Sequence, residues 1–232
     1  MRQSESAAGL DELLVMFLTV ELLRTLEALH ARGLIHGDLK PDNCMVRFEP
    51  VADGAWASRY QPDGSAGWAR KGVALIDFGR GIDMRLFRPD VQFVADWKTD
   101  ATDCAEMREL RPWTFQVDYH GLAAIAHSML FGKYIETAAE RAGLPGGGPR
   151  RYRITSPLKR YWDKELWARL FDVLLNPLEH VAPEDGGVLP INGALRDVRL
   201  RMQAHLVAQS DKGIGLKGMI RKMEVALGGR RR

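Results

Sequence analysis

The clearest pattern of apolar and polar positions lies near the start of the chain, between Leu10 and His30. Leucine and phenylalanine recur there at intervals of three and four residues. That spacing predicts an amphipathic helix with one buried stripe. Arg32 and Gly33 come next, and a glycine after a basic residue is typical of a helix end. We therefore expect a first helix that stops before Gly33.

Two short apolar runs, Cys44–Val46 and Val73–Ile76, predict buried strands. The residues between them, 49–72, are rich in Gly, Ala, Asp and Trp and predict an enlarged hairpin loop. From Asp77 to Met107 no clean period appears, and an irregular stretch of that length is usually functional or mobile.

The second half of the chain is predicted to be helical. Residues 121–131 are small and apolar nearly all round, as in a fully buried helix. Residues 161–175, 193–206 and 219–227 also favour helices, and 143–148 is a Gly/Pro loop. The expected fold is mainly α, a helical bundle with a short β-hairpin and only two or so strands.

Composition narrows the class without naming a function. The 232 residues are 46% apolar and 27% charged, which is ordinary for a globular protein. The net charge of +3 does not indicate nucleic-acid binding, and we expect none directly. Two cysteines, Cys44 and Cys104, cannot form a disulfide framework. Apolar runs are too short for a membrane span, so no membrane association is expected.

The loop His36–Asn43 carries the first chemical signal. Asp38 is followed by Lys40 and Asn43 at offsets of two and five residues. Phosphoryl transfer needs such a set: a carboxylate for the hydroxyl proton, a cation for the moving phosphoryl group and an amide oxygen for a metal ion. A polar loop of this kind is by itself most often a solvated turn.

The second signal, Asp77-Phe78-Gly79, follows the second predicted strand. Asp77 is placed to ligate the magnesium ion that bridges the phosphates, and Gly79 to let the chain turn away sharply. The tripeptide also occurs by chance, as a strand-ending turn. The two motifs in this order, with a helix before and strands between, favour kinase chemistry.

With these motifs the chain resembles the C-terminal lobe of a eukaryotic protein kinase. Lys40 resembles the serine/threonine kinases. Glu106, in Cys-Ala-Glu-Met, lies where kinases carry Ala-Pro-Glu at the end of the activation segment. Asp118 lies where an aspartate of the central helix anchors the catalytic loop; a helix cap is the second interpretation, and the two are compatible. His36 is expected to pack beneath the loop.

A narrower resemblance is to the mitotic checkpoint kinases named for budding uninhibited by benzimidazole. His-Gly-Asp at 36–38 replaces His-Arg-Asp, and Ile-Asp-Phe-Gly-Arg-Gly-Ile-Asp-Met spans 76–84. Phe87, Glu106-Met107, Pro112-Trp113, residues 116–119 and residues 129–134 are also similar to that family. The likeness runs from about residue 10 and fails in residues 49–72 and 143–153, which resemble insertions.

The resemblance implies a serine/threonine kinase of the spindle assembly checkpoint that uses ATP and Mg²⁺. Lys40, Asn43 and Asp77 would bind the nucleotide, with Asn43 and Asp77 holding the metal and Asp38 and Lys40 catalytic. Histone and checkpoint proteins would be substrates, kinetochore proteins the partners, and the nucleus or kinetochore the location, with the cytoplasm as an alternative. The family also contains degenerate members, but here all four residues are present.

We expect residues 1–9 to be a remnant, 10–227 the lobe with its activation segment at 77–107, and 228–232 a basic tail. A glycine-rich loop and a strand lysine, which kinases also need, do not precede the first helix. Gly-x-Gly-x-x-Gly at 213–218 follows a helical pattern and is read as a turn. The chain alone is therefore expected to be inactive for want of an N-lobe.

Two other functions stay open. One is a small-molecule phosphotransferase of the aminoglycoside or choline kinase kind, which also uses His-Gly-Asp. The other is a non-catalytic, kinase-like scaffold. Gly37 raises a separate hypothesis: it cannot pair with an activation-loop phosphate as arginine does. The segment would then be held by its own packing, from Phe93, Trp97, Leu86 and Phe87.

Overall fold

The computed structural model describes residues 9–52, 54–140, 150–181 and 188–228. Helices dominate, as predicted. They are α1 (Glu12–His30), α2 (Ala105–Arg108), α3 (Gln116–Phe131), α4 (Lys164–Leu175), α5 (Asn192–Asp211) and α6 (Leu216–Gly228). None of these helices is long and apolar enough to cross a membrane.

The first helix, α1, begins two residues later than its apolar pattern suggested. Asp11 caps it, because its Oδ1 accepts a hydrogen bond of 2.9 Å from the Leu13 amide. The helix ends at His30, and Gly33 takes a left-handed φ of 68° as the chain turns away. The helix packs on α5 and α3 in the main core. Residues 14–20 are all buried, so this part of the helix is enclosed on every side and the prediction of one buried stripe was wrong there.

The strands form three separate antiparallel pairs, so the expectation of two or so strands was wrong. They are β1 (Leu34–Ile35) with β4 (Ile82–Asp83), β2 (Cys44–Phe48) with β3 (Lys71–Leu75), and β5 (Thr137–Glu140) with β6 (Arg151–Ile154). A strand of two residues has no readable period, and β5 and β6 are only four residues long and half polar, too short for a clear strand pattern.

The loop between β2 and β3, which resembles an insertion in the sequence, contributes side chains to the main core. Trp56, Tyr60 and Trp68 are each at most 5% exposed and belong to the main core. Tyr60 and Trp68 both meet the Phe17 ring of α1 edge-on, at centroid distances of 6.0 and 5.7 Å. Residues 71 and 72 belong to β3, so the loop is shorter than predicted and is anchored by aromatic packing.

Boundaries in the second half follow local caps. The helix expected from 161 starts at Lys164, because Asp163 Oδ1 accepts from the Leu166 amide at 3.1 Å. α5 continues to Asp211, five residues beyond its predicted end, and Gly213, at φ 81°, closes it. The turn between α5 and α6 includes Gly213 and Gly215, as predicted, but Gly218 lies within α6, which starts three residues before its predicted beginning. The second expected insertion overlaps β6 at 151–153, while its loop at 143–148 and residues 229–232 lie outside the described residues.

Candidate active site

The loop from His36 to Asn43 is fastened to the core by a buried carboxylate of α3. Asp118 is 0% exposed. Its Oδ2 accepts from the His36 amide at 2.8 Å, and its Oδ1 accepts from the Gly37 amide at 2.9 Å. Asp118 is the third residue of α3, and Phe115 occupies the cap position. The helix-cap interpretation was therefore wrong, and the anchoring interpretation agrees with this geometry.

A residue that the sequence analysis did not single out, His30, completes this anchor. Its Nε2 lies 2.9 Å from Asp118 Oδ2, and both side chains are fully buried. The His30 ring also packs edge-on against Phe115 and Tyr119. One signal was available in the sequence: His30 continues the buried stripe of α1 four residues after Leu26, where a polar side chain needs a buried partner.

Asp38, Lys40 and Asn43 converge as their spacing suggested. Lys40 Nζ lies 2.8 Å from Asp38 Oδ2. The Asn43 amide group donates to the same oxygen at 3.0 Å and to the Asp38 carbonyl at 2.8 Å. The short turn Pro41–Asn43 brings Asn43 back under Asp38, where Asn43 is 5% exposed. These contacts leave the carboxylate fixed at the surface of the lobe with a cation beside it.

The pKa of Asp38 reflects opposing effects. Burial raises this pKa, but the hydrogen bond and charge of Lys40, the Asn43 amide and the Arg80 guanidinium together lower it below its ordinary value. Arg80 Nη1 lies 3.8 Å from Asp38 Oδ1. Asp38 is therefore ionised at neutral pH, which is the state that can accept a proton.

Asp77 begins a tight turn that puts its carboxylate at the surface. Its backbone is left-handed, with φ of 63°, and its Oδ1 accepts from the Gly79 amide at 3.3 Å. The unusual conformation therefore lies on Asp77, and the expectation that Gly79 supplies it was wrong. A Cβ on Gly79 would lie 3.1 Å from Asp77 Oδ1, so glycine leaves room for that carboxylate instead.

The two loops are joined directly. The Ile76 amide donates to the Asn43 carbonyl at 3.0 Å, which continues the β2–β3 ladder to the residue before Asp77. The buried ring of His36 bonds the Ile76 carbonyl at 3.1 Å and lies 4.5 Å from the Phe78 ring between centroids. His36 therefore packs beneath the loop, as expected. Asn43 and Asp77 sit at the same end of one strand pair.

Position 37 requires a glycine because the turn that follows Asp77 passes very close to it. Its φ is 79°, and a Cβ on it would lie 2.4 Å from the Arg80 carbonyl oxygen. An arginine at this position would therefore clash with the turn that follows Asp77. In this chain the guanidinium nearest Asp38 comes from Arg80 in that turn.

Residues 77–107, the expected activation segment, pack through a small cluster that they share with Trp113. Ala95, Cys104, Met107 and Trp113 are buried together, with Phe93 against them. Phe93 also exchanges two backbone hydrogen bonds with Trp113, at 2.8 and 2.9 Å.

Of the residues expected to supply this packing, only Phe93 does so fully. Leu86 is 80% exposed, Trp97 49% and Phe87 45%, although Phe87 meets the Phe93 ring edge-on. Leu86 and Trp97 were therefore wrong predictions. Glu106, in contrast, is 7% exposed at the end of the segment, with Arg111 Nη2 at 3.7 Å from its carboxylate.

The donor set fits a magnesium ion. Asn43 uses its amide nitrogen on Asp38, so its carbonyl oxygen faces away from that bond, and Asp77 offers an exposed carboxylate. Oxygen donors of these two kinds suit Mg²⁺. In the described part of the chain, no group of three or more His, Cys, Asp and Glu side chains is placed to hold a metal ion.

The fold and the arrangement of these residues are similar to part of a protein kinase domain. The chain is 53% identical over 219 residues to the spindle assembly checkpoint serine/threonine-protein kinase bub1 of Schizosaccharomyces pombe. It is 45% identical over 197 residues to BUB1 of Saccharomyces cerevisiae. These matches cover 94% and 85% of this chain. The chain is homologous to the Bub1 spindle-checkpoint kinases.

A solved structure agrees. The crystal structure of the BubR1 kinase domain matches with a TM-score of 0.69 and 29% identity, over 92% of this chain and 55% of that one. No family model matches the chain. The chain spans about a fifth of the two yeast relatives, 20% and 18% of their lengths.

Proposed function

We propose that this region is the catalytic lobe of a serine/threonine kinase of the spindle assembly checkpoint, which transfers the γ-phosphate of ATP to protein hydroxyl groups. The convergence of Asp38, Lys40 and Asn43 at hydrogen-bond distance carries the proposal. The names of the Bub1 relatives support the checkpoint role.

Each residue has a separate task in this proposal. Asp38 accepts the proton of the substrate hydroxyl as it attacks. Lys40 faces the transferred group and offsets its negative charge. Asn43 and Asp77 would hold Mg²⁺, which would offset the negative charge of the phosphates. Asp118 and His30 act on none of these groups directly, but they fix the backbone that carries Asp38.

The isolated chain is expected to turn over ATP negligibly. In this sequence no Gly-x-Gly-x-x-Gly motif and no lysine precede Asp38, the order in which a kinase carries its phosphate-binding loop and strand lysine. Positioning supplies most of the rate in this chemistry, so a site without those parts loses most of its contacts with ATP.

Activity is best tested in a chimera in which residues 10–228 replace the corresponding segment of the fission yeast relative. We expect the chimera to phosphorylate histone in the presence of Mg²⁺ and ATP. Asp38→Asn and Asp77→Ala should each lower kcat at least about a hundredfold, because they remove the base and a metal ligand. Asp42→Asn is the matched control, since this exposed carboxylate lies in the same loop.

Three results would decide against the proposal. A folded chimera in which Asp38→Asn keeps its activity would show that Asp38 is not the base. Phosphorylation of an aminoglycoside in preference to histone would favour a small-molecule phosphotransferase. A chimera that restores checkpoint arrest in yeast without any turnover would favour a scaffold.

The remaining expectations belong to the whole protein. We infer kinetochore and checkpoint proteins as partners, histone and checkpoint proteins as substrates, and the nucleus, at kinetochores, as the location. The relatives' names support a checkpoint role in general terms. Localisation of the tagged protein in mitotic cells tests this, and a signal that never reaches kinetochores would contradict it.

A further inference from the structure

The last helix of the described chain, α6, reaches back to the strand pair that carries the candidate metal ligands. Leu216 and Ile220 bury its inner face in the main core. Its next turn brings Glu224 to Lys71, the first residue of β3, with Oε1 2.5 Å from Nζ. These residues are 153 positions apart, so the contact is purely tertiary.

Lys71 is an unusual lysine because its side chain is only 3% exposed. Its ammonium group has three partners. Besides Glu224, it donates to the Glu49 carbonyl at 2.8 Å and lies 4.7 Å from the centre of the Trp56 ring. Only Glu224 carries a negative charge. Because burying an unpaired ammonium group costs several kcal/mol, the burial of Lys71 depends on this carboxylate.

Two further positive charges near Trp56 increase the need for the negative charge of Glu224 beside Lys71. Lys217 and Arg221 of α6 also lie over the Trp56 ring, at 5.2 and 5.7 Å. Three cations therefore surround one aromatic side chain, and Glu224 is the carboxylate bonded to the buried one. Losing it would leave Lys71 facing two like charges.

The β2–β3 strand pair connects the Lys71–Glu224 contact to the candidate site. Lys71 pairs with Phe48 at one end of the β2–β3 ladder, and Leu75 pairs with Cys44 at the other. The hydrogen bond from the Ile76 amide to the Asn43 carbonyl closes the ladder next to Asp77. Isolated two-stranded hairpins are marginally stable, so this one depends on its packing against α1 and on the contacts at its ends.

We propose that Glu224 is a positioning residue for the Asn43–Asp77 pair, because its bond to Lys71 holds the β2–β3 ladder closed. The role of that pair rests on the proposed function. The closing of the ladder does not, and it can be measured without activity.

Amide hydrogen exchange of this chain, read by NMR, tests the closing. Glu224→Gln keeps the shape and removes the charge. We expect it to accelerate exchange of the Ile76 amide at least about tenfold, while the Leu130 amide in α3 changes less than about twofold. The double variant Lys71→Met/Glu224→Gln removes both charges and should return Ile76 to within about threefold of the unmodified chain.

The matched control is Asp197→Asn, which removes the carboxylate of an exposed pair with Arg201 on α5. It should change neither amide. Any one of three results would overturn the proposal. They are unchanged exchange of the Ile76 amide in Glu224→Gln, equal acceleration of exchange at Ile76 and Leu130, and no recovery of Ile76 in the double variant. If Glu224→Gln does not fold, Glu224→Asp gives the same comparison with a shortened side chain.

Mn²⁺ alone, added to the chain, connects the ladder to the metal pair. It should broaden the Gly79 amide signal, and the midpoint concentration should rise at least about threefold in Glu224→Gln, because an open ladder separates the two ligands. Broadening with an unchanged midpoint would refute the positioning role. No broadening in the unmodified chain would contradict the proposed metal role, while the exchange data would still decide whether Glu224 closes the ladder.

Discussion

The two loops of the candidate site are held in different ways. The loop 36–43 is tied to α3 by the fully buried Asp118, and His36 within it is also 0% exposed. In the turn that follows Asp77, Phe78 is 49% exposed, and the side chain of Arg80 is 75% exposed. That turn rests on the first loop through the His36–Phe78 and Gly37–Arg80 contacts.

This difference indicates that the turn after Asp77 depends on the loop 36–43 for its position. The core fixes the loop 36–43, and that loop in turn supports the turn that follows Asp77. A change in the core should therefore affect both loops, whereas a change in the turn should stay local. Three predictions test this order, from the largest effect to the smallest.

Asp118→Ala should have the largest effect. It leaves the His36 and Gly37 amides and the His30 ring without their acceptor in a buried place. We expect the free energy of unfolding of the chain to fall by about 3 kcal/mol or more, measured by urea denaturation. Asp90→Asn, an exposed carboxylate, should stay within about 0.5 kcal/mol. A loss below about 1 kcal/mol for Asp118→Ala would contradict the anchoring role.

Gly37→Ala should have an intermediate effect. The new Cβ would meet the Arg80 carbonyl oxygen at 2.4 Å, so the turn must move. Gly213→Ala is the matched control, because Gly213 has a similar φ of 81° with no heavy atom within 4 Å of its built Cβ. We expect Gly37→Ala to cost about 1 kcal/mol more than the control in denaturation, with shifted amide signals at residues 77–80.

Equal costs for Gly37→Ala and Gly213→Ala would mean that backbone strain alone explains the glycine. The Arg80 contact would then be incidental. Unchanged amide signals at 77–80 would likewise show that the turn does not rest on the first loop.

Lys40→Met should have the smallest effect, confined to the charge of Asp38. Removing the ammonium group should raise the pKa of Asp38 toward its ordinary value, as followed by NMR of its carboxyl carbon. A lowered pKa in the folded state stabilises the protein at pH above the unfolded pKa, and this stability is lost as pH falls through the folded value. The variant should therefore lose under about 1 kcal/mol at neutral pH, and the difference should vanish in acid.

An Asp38 pKa that stays the same in Lys40→Met would contradict the pairing. It would then be Asn43 and Arg80 that hold the carboxylate ionised. A stability difference that grows as pH falls would have the wrong sign for this mechanism.

Local patterns predicted much of this molecule. The apolar stripe predicted α1, brief apolar runs predicted β2 and β3, and the spacing of Asp38, Lys40 and Asn43 predicted their convergence. These features depend on residues only a few positions apart, so the local sequence is enough to predict them. Their boundaries moved by a few residues where side-chain caps such as Asp11 and Asp163 fixed the first turn.

Only the tertiary structure decided which distant groups meet. The Asp118 bond to the His36 amide joins residues 82 positions apart, and no local period encodes it. For the same reason the periodicity did not show that Trp56 lies in the core while Trp97 is half exposed. By itself the sequence determined which chemical groups this protein carries. The fold determined which of them are buried and paired, because burial and pairing depend on elements that are far apart in the chain.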